Sequence, residues 1–334
     1  MKNLINPLFY VIVLFTISSF SQTINKALNV SENSTDFVIT WDTTKQGISN
    51  NNSITIPVIS GVYYYNVDWD NDGIFDDKQI ENSITHDYKK PGIYTIRISG
   101  IFPHFSFNNK GDKLKLIEIN QWGNQQWVSV NGMFWGCKNL IGKAIDKPDL
   151  SKVIDMDGMF QNASKFNQDI GDWDTSNVMN MAGLFSGATM FNQDINNWNT
   201  SNVNDMSFMF NKASNFNQNL NNWDTSKVIK MQAMFQLASK FNGNISNWNI
   251  DNVTNMSFMF SQAVKFNNNI SFWNTKNVTN MSLMFQGASS FNQNIAGWNI
   301  KKVDCMYKMF YKAIRFKQDV KWYAVNTMSK AKNL

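Results

Sequence analysis

The chain has 334 residues, room for two domains of ordinary size, and its 43% hydrophobic content with 12 Trp, 26 Phe and 18 Met marks a globular protein. The net charge of +5 is modest for this length. No basic run appears that would track a phosphate backbone, so nucleic acid is not an expected partner.

Residues 1–21 read as a secretory signal: Lys2 supplies the positive start, Leu8 to Ile17 the apolar stretch, and Ser19-Phe20-Ser21 the small-x-small cleavage pattern. The apolar stretch is shorter than the roughly 17 residues a membrane span needs, which sets the signal reading above that of a retained anchor. Gln22, not a cysteine, follows the cleavage point, so a lipid-modified N-terminus is not expected. No second apolar stretch occurs, and no stable membrane insertion is expected after signal removal. Secretion or a place at the cell surface follows, with residues 22–35 as a linker.

Residues 36–120 alternate in the manner of β-strands. Phe37 to Trp41, Val62 to Val67 and Tyr94 to Ser99 are strand candidates, the last after the turn signal Pro91-Gly92. Such short, punctuated strands predict a small β-sandwich. Within this segment Asp68, Asp70 and Asp72 precede Gly73, with Asp76 and Asp77 beyond. Carboxylates alternating on a tight turn suit a hard cation, which makes Asp68, Asp70, Asp72 and Asp76 a candidate calcium site. Gln79 stands at the twelfth loop position, usually a bidentate Glu. The competing reading is therefore a solvated hairpin turn whose Asp side chains cap backbone donors. The stretches VDWDNDGIFDD (Val67 to Asp77) and HDYKKPGIYTIRI (His86 to Ile98) are similar to the paired signatures of the PKD domain, an immunoglobulin-like sandwich of surface proteins. The usual aromatic-Gly-Asp-Gly turn is here Asp70-Asn71-Asp72-Gly73. The resemblance implies a spacer module.

From 121 to 334 the sequence repeats. Trp173, Trp198, Trp223, Trp248, Trp273 and Trp298 recur at intervals of 25, inside the pattern V-x-x-M-x-x-[ML]-F-x-x-A-x-x-F-N-x-x-[IL]-x-x-W. Counting one aromatic per copy from Phe134 to Phe310 gives eight repeats with one interval of 26. Met281, Met284, Phe285 and Ala288 have the spacing of one helical face, and Phe291 to Ile295 looks short and extended. Each copy is therefore predicted to hold a short strand and a helical turn. One copy is too small to bury its own Trp, Phe and Met; stacked copies can, which predicts a leucine-rich-repeat-like solenoid with caps. At roughly 4.8 Å per strand, eight coils make a rod of about 38 Å.

Asn167, Asn192, Asn217, Asn242, Asn267 and Asn292 share one register. This predicts an internal asparagine ladder that satisfies backbone groups of adjacent coils; a polar ligand-binding row is the alternative. Cys137 takes the slot of the repeat alanines and should point into the core. Cys305 takes the slot of Asn255 and Asn280 and should be more exposed. The two lie seven coils apart, too far for an intramolecular disulfide. The copies FNQDIGDWDTSNVMNM and FNQDINNWNTSNVNDM resemble the BspA-family leucine-rich repeats, in the 25-residue variant of bacterial surface proteins and mycoplasma lipoproteins, over roughly residues 127 to 320. The resemblance implies a cell-surface solenoid for adhesion to host or neighbouring-cell macromolecules. The last copy departs from it, with Lys317 in the Asn slot and Tyr323 in the Trp slot, either as a degenerate cap or as a truncation.

No enzyme is expected. His86 and His104 are the only histidines, without Glu or Cys at metal spacing, and His86 is expected to be a structural hydrogen-bonder. No nucleophile elbow, phosphate loop or dinucleotide fingerprint occurs, so no cofactor is expected beyond the calcium candidate. Asp169 and Asp194 grade into Asn219, Asn244, Asn269 and Asn294 along one register, as a solvated polar row would. Two partner classes remain: an extracellular protein bound through the broad solenoid face, or a glycan stacked on exposed aromatics. Burial of the repeated Trp decides how much the second has to work with.

Overall fold

The computed structural model describes residues 35–59 and 61–322. The expected signal, all of the linker but Thr35, and the chain from Tyr323 onward lie outside the described residues. The described chain is strand-rich and nearly without helix.

The N-terminal part contains β1 (Phe37–Asp42), β2 (Ser53–Ile56), β3 (Tyr64–Asp68), β4 (Asp77–Ile80), β5 (Ile84–Asp87), β6 (Ile93–Ile101) and β7 (Leu116–Gln121). β2 and β5 pair as a separate antiparallel ribbon. The others form one sheet in the order β4-β3-β6-β1-β7, extended by β8 (Ile141–Gly142) from the first repeat. All six residues of the central strand β1 are buried. One face sends Phe37, Ile39 and Trp41 into a core shared with Ile54, Ile56, Ile96 and Ile98. On the other, Thr40 hydrogen-bonds to Thr95 and Asn120 at 2.8 Å each. A buried ion pair fixes the β1–β2 connection. Lys115 donates to the carbonyls of Ser49, Asn50 and Ser53 at 2.7–3.0 Å, and Asp112 accepts from the N–H groups of Ile48, Ser49 and Thr55. A Cβ on Gly47 would stand 2.1 Å from the Asp112 carboxylate, so the turn needs glycine here.

The join to the repeats is continuous. β7 pairs in parallel with β8, and the N–H groups of Phe107 and Asn109 donate to the carbonyls of Met133 and Trp135 in the first coil. Phe105 meets Phe134 edge-on at 6.2 Å, and Trp122 meets Trp173 at 5.4 Å. The N-terminal part thereby closes one end of the aromatic stack.

In the repeats, Asp155, Asn180, Asp205, Lys230, Asn255, Asn280 and Cys305 form successive parallel bridges, each one register after the last. The predicted helical turn does not form. The segment after each bridge carries two left-handed residues, such as Gly158 (φ 61°) with Asn162 (φ 59°) and Phe208 (φ 58°) with Lys212 (φ 61°). Its N–H groups alternate between two kinds of acceptor. Met159, Gln161 and Ala163 donate three residues back in their own coil, to Met156, Gly158 and Phe160. Gly158, Phe160 and Asn162 donate forward to Ala182, Leu184 and Ser186 of the next coil at 2.6–2.9 Å. An α-helix would turn every one of these donors inward on itself. The i, i+3/i+4, i+7 spacing identified the inward-facing side chains, but it does not specify the backbone path between them.

The asparagine ladder exists at the surface, not in the interior. Asn167 Oδ1 accepts the Asn192 N–H at 2.8 Å, and the pattern continues through Asn217, Asn242, Asn267 and Asn292 to the Lys317 N–H at 2.9 Å. Asn167, Asn217 and Asn242 are exposed. The register is held because an amide oxygen of this reach supplies an acceptor that the stacked backbone lacks, with no burial required. Six Trp are only 2–4% exposed, and Trp198 Nε1 donates to the Ile170 carbonyl at 2.9 Å, as Trp223 does to Ile195.

These interactions differ in weight. A ladder hydrogen bond at the surface contributes about 0.5–1.5 kcal/mol net, whereas removing a buried Phe ring costs about 3–5 kcal/mol. Asn242→Ala is therefore expected to lower stability by about 1 kcal/mol and Phe235→Ala by at least twice as much, measured by thermal or urea unfolding. A larger loss at Asn242 than at Phe235 would contradict the surface placement of the ladder.

Candidate functional site

The acidic turn between β3 and β4 brings three of its four candidate ligands together. Carboxylate oxygens of Asp68, Asp70 and Asp76 lie within 4.8 Å of one another. Asp72 is not in that group; its Oδ1 accepts the Ile74 N–H at 2.8 Å. Asp68, fully buried, accepts from the N–H groups of Asp72 (3.1 Å) and Gly73 (2.8 Å) and lies 3.9 Å from Arg97 Nε. Burial pushes its carboxyl above the usual range, against those backbone hydrogen bonds. Asp76 accepts the Trp69 N–H at 2.9 Å. The turn thus combines convergent carboxylates with the capping of backbone donors.

Neither histidine has the setting of a base. His86 stacks on Trp69 at 4.5 Å and meets Tyr88 edge-on, so it packs through its ring and not through the expected hydrogen bond. His104 Nε2 lies 3.4 Å from the Asn131 carbonyl. Burial lowers the pKa of both.

The repeated polar positions close local turns. Asp169 accepts the Gly171 N–H and Asp194 the Asn196 N–H, as Asn244, Asn269 and Asn294 do for Ser246, Ser271 and Ala296, at 2.9–3.0 Å. Either side chain offers the Oδ1 that such a turn needs, which is why Asp and Asn interchange.

Two residues before each repeat methionine runs a second ladder, in which Met179, Asn204 and Ile229 donate back to Ile154, Met179 and Asn204 at 2.9 Å. Their side chains face outward, and Ile154, Met179 and Ile229 are exposed. With Lys152, Asn177, Asn202, Asn204 and Lys227, Ile154 and Met179 line an open groove of about 650 Å³ across neighbouring coils. Sequence reasoning missed this row because the motif leaves the position unspecified. The deviation of Ile and Met from the polar residues around them was the available signal.

The architecture is that of a strand-rich repeat protein built by stacking one 25-residue unit. The chain belongs to the family described as Mycoplasma proteins of unknown function, DUF285, whose model matches residues 128–248 and again 238–334, together more than half of the chain. That membership is compatible with a surface repeat protein. No curated protein and no solved structure matches the chain. Among the described residues no helix is long and apolar enough to cross a membrane.

Cys137 is buried in the first coil and Cys305 exposed in the eighth, both as free thiols. Burial raises the Cys137 thiol well above its ordinary range, while Cys305 Sγ accepts from Ser282 Oγ at 2.8 Å. Under mildly alkaline conditions a thiol reagent should label one cysteine per native chain and two after unfolding. Two fast-reacting thiols in the native protein would contradict the placement of Cys137.

Proposed function

We propose that the protein is a secreted or cell-surface adhesin that binds an extracellular protein through the face of a leucine-rich-repeat-like solenoid, with a PKD-like sandwich as its N-terminal module. The observation that carries the reading is the groove around Ile154 and Met179. Two exposed aliphatic side chains occupy adjacent coils, and Ile229 stands in the same register past Asn204, where neither the core nor the hydrogen-bond ladders require them. Amides and two lysines flank them, an apolar centre with a polar rim. The leader-like residues 1–21 support export, and the parallel register of 25 supports the solenoid.

The glycan reading loses weight because the six repeated Trp are buried. Phe272, the most exposed of the repeat aromatics among the described residues, stands among Asn244, Asn247, Asn268 and Asn269, while Phe208, Phe258, Tyr307 and Tyr311 are exposed to a lesser degree. An enzymatic role has no support in the surroundings of the histidines or of the Asp169 register.

Binding of the full chain to an array of extracellular proteins and glycans tests the proposal. Ile154→Glu with Met179→Glu should weaken the strongest protein interaction at least tenfold while the melting temperature stays unchanged, whereas Phe272→Ala should leave it intact. Loss of a glycan signal in Phe272→Ala, with no protein signal at all, would replace the reading with the glycan one.

The same proposal gives the acidic turn a secondary role as a calcium site, formed by Asp68, Asp70 and Asp76 and supported by the convergence of their carboxylates. Calcium at about 1 mM, the range of extracellular modules, should raise the melting temperature of the protein but not of Asp70→Asn. Equal responses would leave the turn as a backbone cap alone.

A further inference from the structure

The two left-handed positions of each coil form two columns along one side of the stack. From the second coil to the seventh, the first column runs Gly158, Gly183, Phe208, Ala233, Phe258 and Leu283, with φ from 54° to 61°. The second runs Asn162, Gly187, Lys212, Leu237, Gln262 and Gly287, with φ from 59° to 74°. The Met, Phe and Ala positions between and beside them turn into the core, and the columns lie on the outer side. Phe208 is 41% exposed, Leu237 39% and Phe258 36%. The stack does not require these side chains. Gly158 and Gly183 donate forward to Ala182 and Ser207 as Phe208 and Phe258 do to Gln232 and Ser282. Glycine makes the same hydrogen bond without the steric cost that a phenylalanine bears in this conformation. Local strain of this kind points to a role beyond the fold itself, so what the exposed rings gain lies outside their own chain.

The order of side-chain sizes identifies the partner. The middle of the eight coils falls between Phe208 and Ala233. Turned about a two-fold axis through that point and across the columns, a second copy runs antiparallel and sets each coil against its counterpart from the other end. Phe208 then meets Ala233 of the second copy, Phe258 meets Gly183 and Leu283 meets Gly158, each in both directions. In the second column Gln262 meets Gly187, Asn162 meets Gly287, and the Lys212 stem lies along Leu237. Ala233, only 2% exposed, floors the hollow between Phe208 and Phe258, which stand two coils, about 10 Å, apart. A slip of one coil would set Phe208 against itself or against Phe258. Copies running the same way would set Phe208 against Lys212 and leave Gly183 facing Gly187.

The charges agree with the sizes. In the bridge column alongside, Asp205 and Lys230 pair at 2.9 Å within one chain, and the same axis sets each against the other residue of the second copy. The remaining charges of this side, Asp155, Asp157 and Lys212, meet Asn280, Ser282 and Leu237. No two like charges are opposed. We propose that the protein forms an antiparallel dimer through these columns, with its two-fold axis at the centre of the repeat stack. The groove at Ile154 and Met179 lies outside the columns, so this inference and the adhesin reading fail separately.

Sedimentation velocity of the full chain from about 1 to about 100 µM should show a monomer–dimer equilibrium. Phe208→Gly with Phe258→Gly, the residue of Gly158 and Gly183, should weaken the dimer at least about a hundredfold while leaving the circular dichroism spectrum of the monomer unchanged. The variant keeps residues 1–21, so association through the apolar leader would persist in it. A cross-link tests the register, using the half-buried Gln161 and Gln286 of the second and seventh coils in a Cys305→Asn background. Gln161→Cys and Gln286→Cys chains should be joined by a short bismaleimide when mixed and not when alone, because each residue lies about 24 Å from its own equivalent across the axis. A monomer at every concentration, a dimer that the glycine variant leaves intact, or cross-links within a single-variant sample would each overturn the proposal. Cross-linking confined to the mixture keeps the test decisive should the glycine variant fail to fold.

Discussion

Within the segment from the repeat methionine to the repeat alanine, every second N–H points along the stack instead of back into its own turn, and most of the architecture depends on that division. It requires two left-handed residues per coil. Glycine holds such a conformation without steric penalty, whereas Phe208, Phe258 or Leu283 bears a cost of about 1–2 kcal/mol. The forward hydrogen bonds and the aromatic stack offset it: ring pairs such as Phe185–Phe210 and Phe235–Phe260 lie nearly parallel at 5.7–5.8 Å. Left-handed positions are thus tolerated where the next coil holds them in place.

Polar side chains complete what the backbone leaves open. The ladder asparagines accept from the next coil, Gln218 and Gln293 donate back to the Asn192 and Asn267 carbonyls, and the buried Thr175, Thr200 and Thr225 donate forward to the carbonyls of Asn199, Asp224 and Asn249. Each is a modest interaction, but they occur in successive coils and order turns that contain no regular secondary structure. The richness in Asn, Ser and Thr therefore has a structural origin, and the surface left for recognition consists of positions that the turns do not occupy.

The repeat and its register were legible from Trp173 to Trp298, because a 25-residue period forces equivalent residues into equivalent surroundings. Burial of the Met, Phe, Ala and Trp positions could be read for the same reason, as could the strands at Phe37 and Tyr94, whereas the strand expected from Val62 to Val67 runs from Tyr64 to Asp68. The backbone path was not legible: an inward-facing spacing is shared by a helix and by a chain of alternating turns, and only the φ values distinguish them. Nor was the surface position of the asparagines, since a constant residue reports a constant requirement and not its depth. At the acidic turn the three convergent carboxylates could be read from their spacing, but the turning away of Asp72 depends on the local loop around Ile74. The aliphatic row at Ile154, Met179 and Ile229 stayed hidden because three outliers among polar residues carry no period of their own.

The forward polarity of the hydrogen bonds bears on how such a chain acquires its structure. The N-terminal part supplies the first donors, through Phe107 and Asn109, and each completed coil then offers donors to the coil still to come. The chain segment that must be closed to add a coil is about one repeat long wherever in the stack it happens, so the closure entropy is the same at every step and does not grow with the number of coils. A chain emerging N-terminus first can therefore order itself behind its leading end while its remainder is still unfolded, with the growing edge as the template.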